Sequence, residues 1–143
     1  MRGYVPDASV MLKWVLGDDQ ESDQDRALSL LNAWVGGEIN LSAPEIWQYE
    51  VGNFLGREVP EVAMEKMKLL LDLKITSISL TSEMFRRCFE WMEINQVTFY
   101  DASYLAVAYE TQSTLITADE KFFDKMGEKD NICLLKHLYT SFP

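Results

Sequence analysis

Histidine is almost missing from this chain, with His137 alone among 143 residues, and the two cysteines, Cys88 and Cys133, form no CxxC pair. That scarcity argues against zinc sites, haem attachment and Ser–His or Cys–His nucleophile relays, and each cysteine reads as a small core hydrophobe. No glycine-rich loop suited to cradling phosphates is present, which disfavours a nucleotide-driven kinase or ATPase. No apolar run approaches the ~20 residues of a membrane span, and the first residues lead into a strand-like segment rather than a secretory leader. The expectation is a reduced, cytoplasmic protein with no membrane partner. Glycine (7) and proline (4) are too few for a long linker or disordered tract, and repeats are lacking, so residues 1–143 are expected to form one domain. Basic residues are also scarce: 13 against 23 acidic give a net charge of −10. Proteins that hold nucleic acid by many phosphate contacts usually carry basic patches, so any such binding here is expected to be weak or assisted, as by a metal ion that supplies local positive charge. Arg86-Arg87, on an amphipathic helical stretch, reads as a solvated surface pair.

What is present is an alternation of short apolar runs and longer helical patterns. Strands are expected near 3–7, 38–42, 74–79, 113–117 and 132–136. Between them lie a helix from Ser22 to Val35, one entered through Pro44 in its first turn, and one beginning at Pro60 whose apolar face runs through Met67, Leu70 and Leu71. A fourth is capped by Thr81 or Ser82 and carries Phe85, Cys88, Phe89 and Met92, and the stretch Ala102–Ala108 is apolar enough to require burial. The four tryptophans read as core or interface residues. Alternation of this kind specifies an α/β sandwich around a mainly parallel sheet of about five strands.

Four carboxylates interrupt core-type sequence. Asp7 closes Tyr4-Val5-Pro6, Asp119 follows Thr114-Leu115-Ile116-Thr117, and Glu50 and Asp101 lie in helical stretches, Glu50 between Trp47 and Phe54 on one face. A lone buried carboxylate costs several kcal/mol unless paired or bound to a cation. Each has an ordinary alternative: Asp7 and Asp119 as helix N-caps, Asp101 as a first-turn charge. Together they suggest one site, because ligands in open parallel sheets bind beyond the carboxyl ends of the strands, where Asp7 and Asp119 fall and where helix N-termini also arrive. An all-oxygen set selects a hard ion, Mg²⁺ or Mn²⁺.

Four segments, in order, carry a family resemblance: Val5-Pro6-Asp7-Ala8-Ser9-Val10 with Lys13-Trp14; Ala43-Pro44-Glu45-Ile46 through Glu50-Val51-Gly52-Asn53-Phe54-Leu55; Tyr100-Asp101-Ala102-Ser103-Tyr104-Leu105-Ala106-Val107-Ala108; and Leu115-Ile116-Thr117-Ala118-Asp119-Glu120-Lys121-Phe122. Spanning nearly the whole chain, they resemble the PIN-domain family, in particular its VapC-type ribonuclease toxins. The resemblance implies a three-layer α/β/α sandwich and Mg²⁺- or Mn²⁺-dependent cleavage of RNA phosphodiester bonds. It implies Asp7, Glu50, Asp101 and Asp119 as the catalytic, metal-binding set, with Ser9, Asn53 and Thr117 in support. It further implies a homodimer and a cognate antitoxin whose tail occupies the acidic groove, a role that suits arginine, whose guanidinium pairs bidentately with carboxylates. Exposed faces around Trp47–Phe54 and Val62–Leu71 are candidates for either contact. Pro6 departs from the aliphatic residue typical before the first Asp. Two rivals remain: a phosphatase using Asp7 as nucleophile, against which residue 9 is Ser where a D-x-D pair needs Asp, and a catalytically silent PIN-like module acting through a protein partner.

Overall fold

A computed structural model describes residues 1–17, 23–127 and 131–139; the expected helix start at Ser22 lies outside them. Five parallel strands, β1 (Gly3–Pro6), β2 (Asn40–Pro44), β3 (Thr76–Ile78), β4 (Thr114–Thr117) and β5 (Ile132–Leu134), form one sheet in the order β3-β2-β1-β4-β5. The helices are α1 (Ala8–Val15), α2 (Gln24–Val35), α3 (Trp47–Glu58), α4 (Ala63–Asp72), α5 (Ser82–Asn95), α6 (Phe99–Glu110) and α7 (Glu120–Met126). Right-handed crossovers put α1–α4 on one face, as the chain steps outward from β1 to β3, and α5–α7 on the other, as it returns to β4 and β5. The result is the expected α/β/α sandwich, with central strands buried on both sides: Val5, Leu115 and Ile116 are fully covered.

The strand order reverses between β1 and β4, and this switch point fixes where a site can lie. Val5 registers with Leu115 and Pro6 with Ile116, so both strands end at the same level. Pro6 sits in the central strand without disrupting it. The Asp7 amide donates to the Ile116 carbonyl (3.1 Å), so the alternation of the strand turns the nitrogen of residue 6 toward β2, where the β1–β2 register at Gly3 and Tyr4 has already ended.

Pro44 corrects an expectation in the same way. It is the last residue of β2, opposite Ile78, and α3 starts only at Trp47. Proline suits the end of a strand as well as the first turn of a helix, so the residue alone did not discriminate.

The stretch Ala102–Ala108 of α6 is wholly buried, against β1, β2 and β4 beneath and α5 alongside. The apolar face of α5 differs from expectation, since Cys88 is buried but Phe85 and Phe89 are 41% and 58% exposed; on α4, Leu70 is buried while Met64, Leu69 and Leu71 face water, in line with the exposed face expected over Val62–Leu71. Trp47 is buried and donates to the Ser77 hydroxyl (2.9 Å), and Trp14 donates to the Ala27 carbonyl (2.8 Å). His137 is exposed at the end of a 3-10 turn, Leu135–His137, whose first residue is buried in the core. Arg86 pairs with Glu83 and Glu90, whereas Arg87 lies over the Tyr109 ring, 4.0 Å from its centroid.

α6 is oriented at its start by Thr98, whose hydroxyl accepts from the Asp101 amide (3.1 Å). Thr98→Ala should therefore cost about 1 kcal/mol of stability, measured by urea unfolding; an unchanged midpoint would show that burial alone fixes the start of α6.

Candidate functional site

The helix starts follow from local capping, and they bring the acids to one edge. Asp7 is the N-cap of α1: its Oδ1 accepts from the Val10 amide (3.2 Å) and the Ser9 hydroxyl (2.5 Å). Asp119 is the N-cap of α7, accepting from the Phe122 amide (3.0 Å). Asp101 lies in the first turn of α6 and, because α3 starts late, Glu50 lies in the first turn of α3. The ordinary cap and first-turn readings of Asp7, Asp101 and Asp119 thus hold, and the same geometry makes those residues neighbours. Asp7, Glu50, Asp101 and Asp119, with Ser9 and Asn53, line one cavity of about 370 Å³ at the carboxyl ends of β1 and β4.

The supporting hydroxyls tie the two strand ends together. Ser9 Oγ, while donating to Asp7, accepts from the Ala118 amide (3.0 Å). Thr117, fully buried behind the cavity, accepts from the Asp119 amide (3.0 Å) and hydrogen-bonds the Asp7 carboxylate. Asn53 lines the cavity one turn beyond Glu50.

Burial and neighbouring acids both act on the carboxylates of the cavity. Burial pushes Asp7, 8% exposed, from the ordinary 3.8 up to about 7, over the opposing bonds from Ser9, Thr117 and Val10, with the Asp101 charge adding to the rise. Glu50 and Asp101 are raised too, mainly by burial, then by the charges of Asp101 and Asp119 respectively. Among the described residues no three His, Cys, Asp or Glu side chains are already drawn together as a metal-holding group. Carboxylates without a counter-charge stand apart, and Mg²⁺ in particular keeps several waters, so one or two direct carboxylates suffice. The oxygen-only donors, the burial and the mutual repulsion all fit a hard divalent cation.

Two further residues escaped the sequence reading. Tyr104, buried on α6, donates to Glu50 Oε1 (2.7 Å), joining α6 to α3; burial and the Glu50 charge hold its phenol protonated. A tyrosine three positions after Asp101 in an otherwise apolar helix was the available signal. Arg57, seven positions after Glu50 and so on the same side of α3, is the one basic residue lining the cavity among the described residues.

A protein-family model described as PIN domain matches residues 4–129. No curated protein matches the chain significantly by sequence. Among solved structures, a toxin–antitoxin complex from Klebsiella pneumoniae is similar with a TM-score of 0.67 at 17% identity, over 92% of this chain and 97% of that one. VapC20 of Mycobacterium tuberculosis, a sarcin-ricin loop cleaving toxin, is similar at 0.63 and 16% identity, over 89% and 97%. PAE2754 from Pyrobaculum aerophilum follows at 0.61 and 21%, over 94% and 90%. At such identities the likeness is one of fold.

The Asp7 environment has a measurable sign. Between about pH 4 and 7 the folded chain keeps a proton on Asp7 that the unfolded chain releases, so this contribution to stability is full below pH 4 and is lost as pH rises through 7. In EDTA, thermal unfolding should give a higher Tm at pH 5.5 than at pH 8. Asp7→Asn should flatten that slope and exceed wild type at pH 8 by about 1–3 kcal/mol. A variant less stable than wild type at pH 8 would mean that the charge on Asp7 is compensated within the protein.

Proposed function

The chain belongs to the PIN-domain family, whose members are nucleases, and on that premise we propose that it is a divalent-cation-dependent endoribonuclease acting as the toxin of a toxin–antitoxin pair. The observation that carries the reading is the convergence of Asp7, Glu50, Asp101 and Asp119 on one cavity at the strand-order reversal, with three of them pushed toward protonation by burial and by one another. The fold likeness to a toxin–antitoxin complex and to a sarcin-ricin loop cleaving toxin supports the biological setting.

In this reading Asp7, Asp101 and Asp119 would hold Mg²⁺ or Mn²⁺, which when bound would supply positive charge for a scissile phosphate in an acidic cavity and lower the pKa of a water. Glu50, whose Oε1 is engaged by Tyr104, keeps its other carboxylate oxygen to orient that water and take its proton. Ser9 and Thr117 fix the rotamers of Asp7 and the approach of Asp119, and the Asn53 amide reaches the same space. Arg57 contacts the RNA backbone at the rim. No side-chain nucleophile is required.

Partners follow from the same charges. An arginine-bearing antitoxin tail would inhibit by occupying the cavity in place of the cation, and self-association into a homodimer would use apolar surface that the fold leaves exposed, Met64, Leu69 and Leu71 on α4 among it. We place the protein in the cytoplasm as one domain over residues 1–143; among the described residues no helix is long and apolar enough to cross a membrane.

Purified protein incubated with a mixed RNA pool should cut it with Mn²⁺ or Mg²⁺ and not with EDTA, and Asp101→Asn should lose about a hundredfold or more. Metal uptake by calorimetry without any cleavage would favour the silent binding module instead. Arg57→Ala should raise KM severalfold with kcat nearly unchanged, the pattern of a lost binding contact; equal loss in both would move Arg57 to the chemical step.

A further inference from the structure

A second cavity, of about 430 Å³, adjoins the acidic one. Its lining is Ile46, Tyr49, Glu50, Asn53 and Tyr100, so Glu50 and Asn53 form a wall common to both. The two spaces differ in character. Four carboxylates surround the first, whereas two tyrosines from different helices, α3 and α6, flank the second and stay largely in water, Tyr49 75% and Tyr100 52% exposed.

The Tyr100 ring is backed rather than free. Phe99 meets it edge-on, with centroids 6.4 Å apart and planes at 80°, and is itself stacked on Phe85 at 5.5 Å and packed against Phe89 at 6.0 Å. An aromatic ring already held by neighbours loses less freedom when something stacks on it, so this side of the cavity is pre-organised for a flat ligand.

We infer that this second cavity takes an unpaired nucleobase of the RNA, adjacent to the phosphate that is cut, with Tyr49 and Tyr100 as stacking surfaces and the Asn53 amide meeting the edge of the base; the inference rests on the ribonuclease reading above. The charge balance points the same way. A protein at −10 whose site is lined by acids, with Arg57 as the basic group described at its rim, gains little from phosphate contacts, so much of its affinity for RNA has to come from groups indifferent to charge. Stacking of bases on aromatic side chains is such a contact, and removal of one aromatic partner costs about five- to a hundredfold in affinity. A base is available for it only when splayed out of a helix, so the pocket selects loops and single strands over duplex. Asn53, donor and acceptor at once, gives the pocket a means of preferring one base edge.

The test uses an oligonucleotide recovered from the cleaved RNA pool and copies of it carrying one abasic position on either side of the cut. Tyr49→Ala and Tyr100→Ala should each raise KM about tenfold, while Tyr49→Phe and Tyr100→Phe stay near wild type and Mn²⁺ uptake and Tm are unchanged. One abasic position should raise the wild-type KM by a similar factor and add nothing further in Tyr100→Ala. Wild-type KM in both alanine variants, or abasic and alanine penalties that multiply, would overturn the pocket and leave the ribonuclease standing. Alanine variants that split a dimer by light scattering at constant KM would reassign the surface to contact between copies. A wild-type protein that binds Mn²⁺ but cuts no RNA would remove the ribonuclease reading and the pocket with it.

Discussion

Like charges gathered at a sheet edge need a source of positive potential, and part of it here is backbone. Asp7 and Asp119 occupy the N-caps of α1 and α7, while Glu50 and Asp101 stand in the first turns of α3 and α6. Unpaired amides at a helix start carry partial positive charge and favour nearby carboxylates. Four helices therefore begin at one edge, each with an acid at its start. The compensation is incomplete: burial first, and neighbouring acids second, raise Asp7, Glu50 and Asp101 from their ordinary values. The remaining deficit defines the chemistry of the cavity more sharply than its shape does.

The parallel pairing of β1 with β4 makes that gathering possible. Asp7 and Asp119 are 112 positions apart in sequence, yet the Pro6–Ile116 register leaves them beyond adjacent strand ends, bridged by Ser9 through Asp7 and the Ala118 amide. α6 matters for the same reason. Its small residues let it lie close over β1, β2 and β4, and from there it brings both Asp101 and Tyr104 to act on Glu50.

Much of this was legible in the sequence because it depends on period and on misplaced polarity. Short apolar runs located all five strands to within a few residues, and acids embedded in apolar neighbours identified the residues that line the cavity. What stayed hidden depended on which surface a pattern meets. The periodicity of α5 showed an apolar face but not that Phe85 and Phe89 would stay partly in water, Phe85 stacked on Phe99 and Phe89 tilted against it. Pro44 satisfied two grammars at once and the strand took it. The Tyr104–Glu50 bond spans 54 positions and exists only once α3 and α6 are side by side.

The double duty of Asp7 and Asp119 bears on how this chain can change over generations. Asparagine caps a helix about as well as aspartate does, and a single base change in either aspartate codon produces it. A lineage under pressure to discard the acidic cavity can thus exchange Asp for Asn at either position while α1 and α7 keep their caps, and the architecture outlives its chemistry. Alanine at the same positions would strip a cap as well as a charge. Descendants that have lost the acidic cavity in this way should therefore be recognisable by asparagine at the strand ends rather than by a ruined fold.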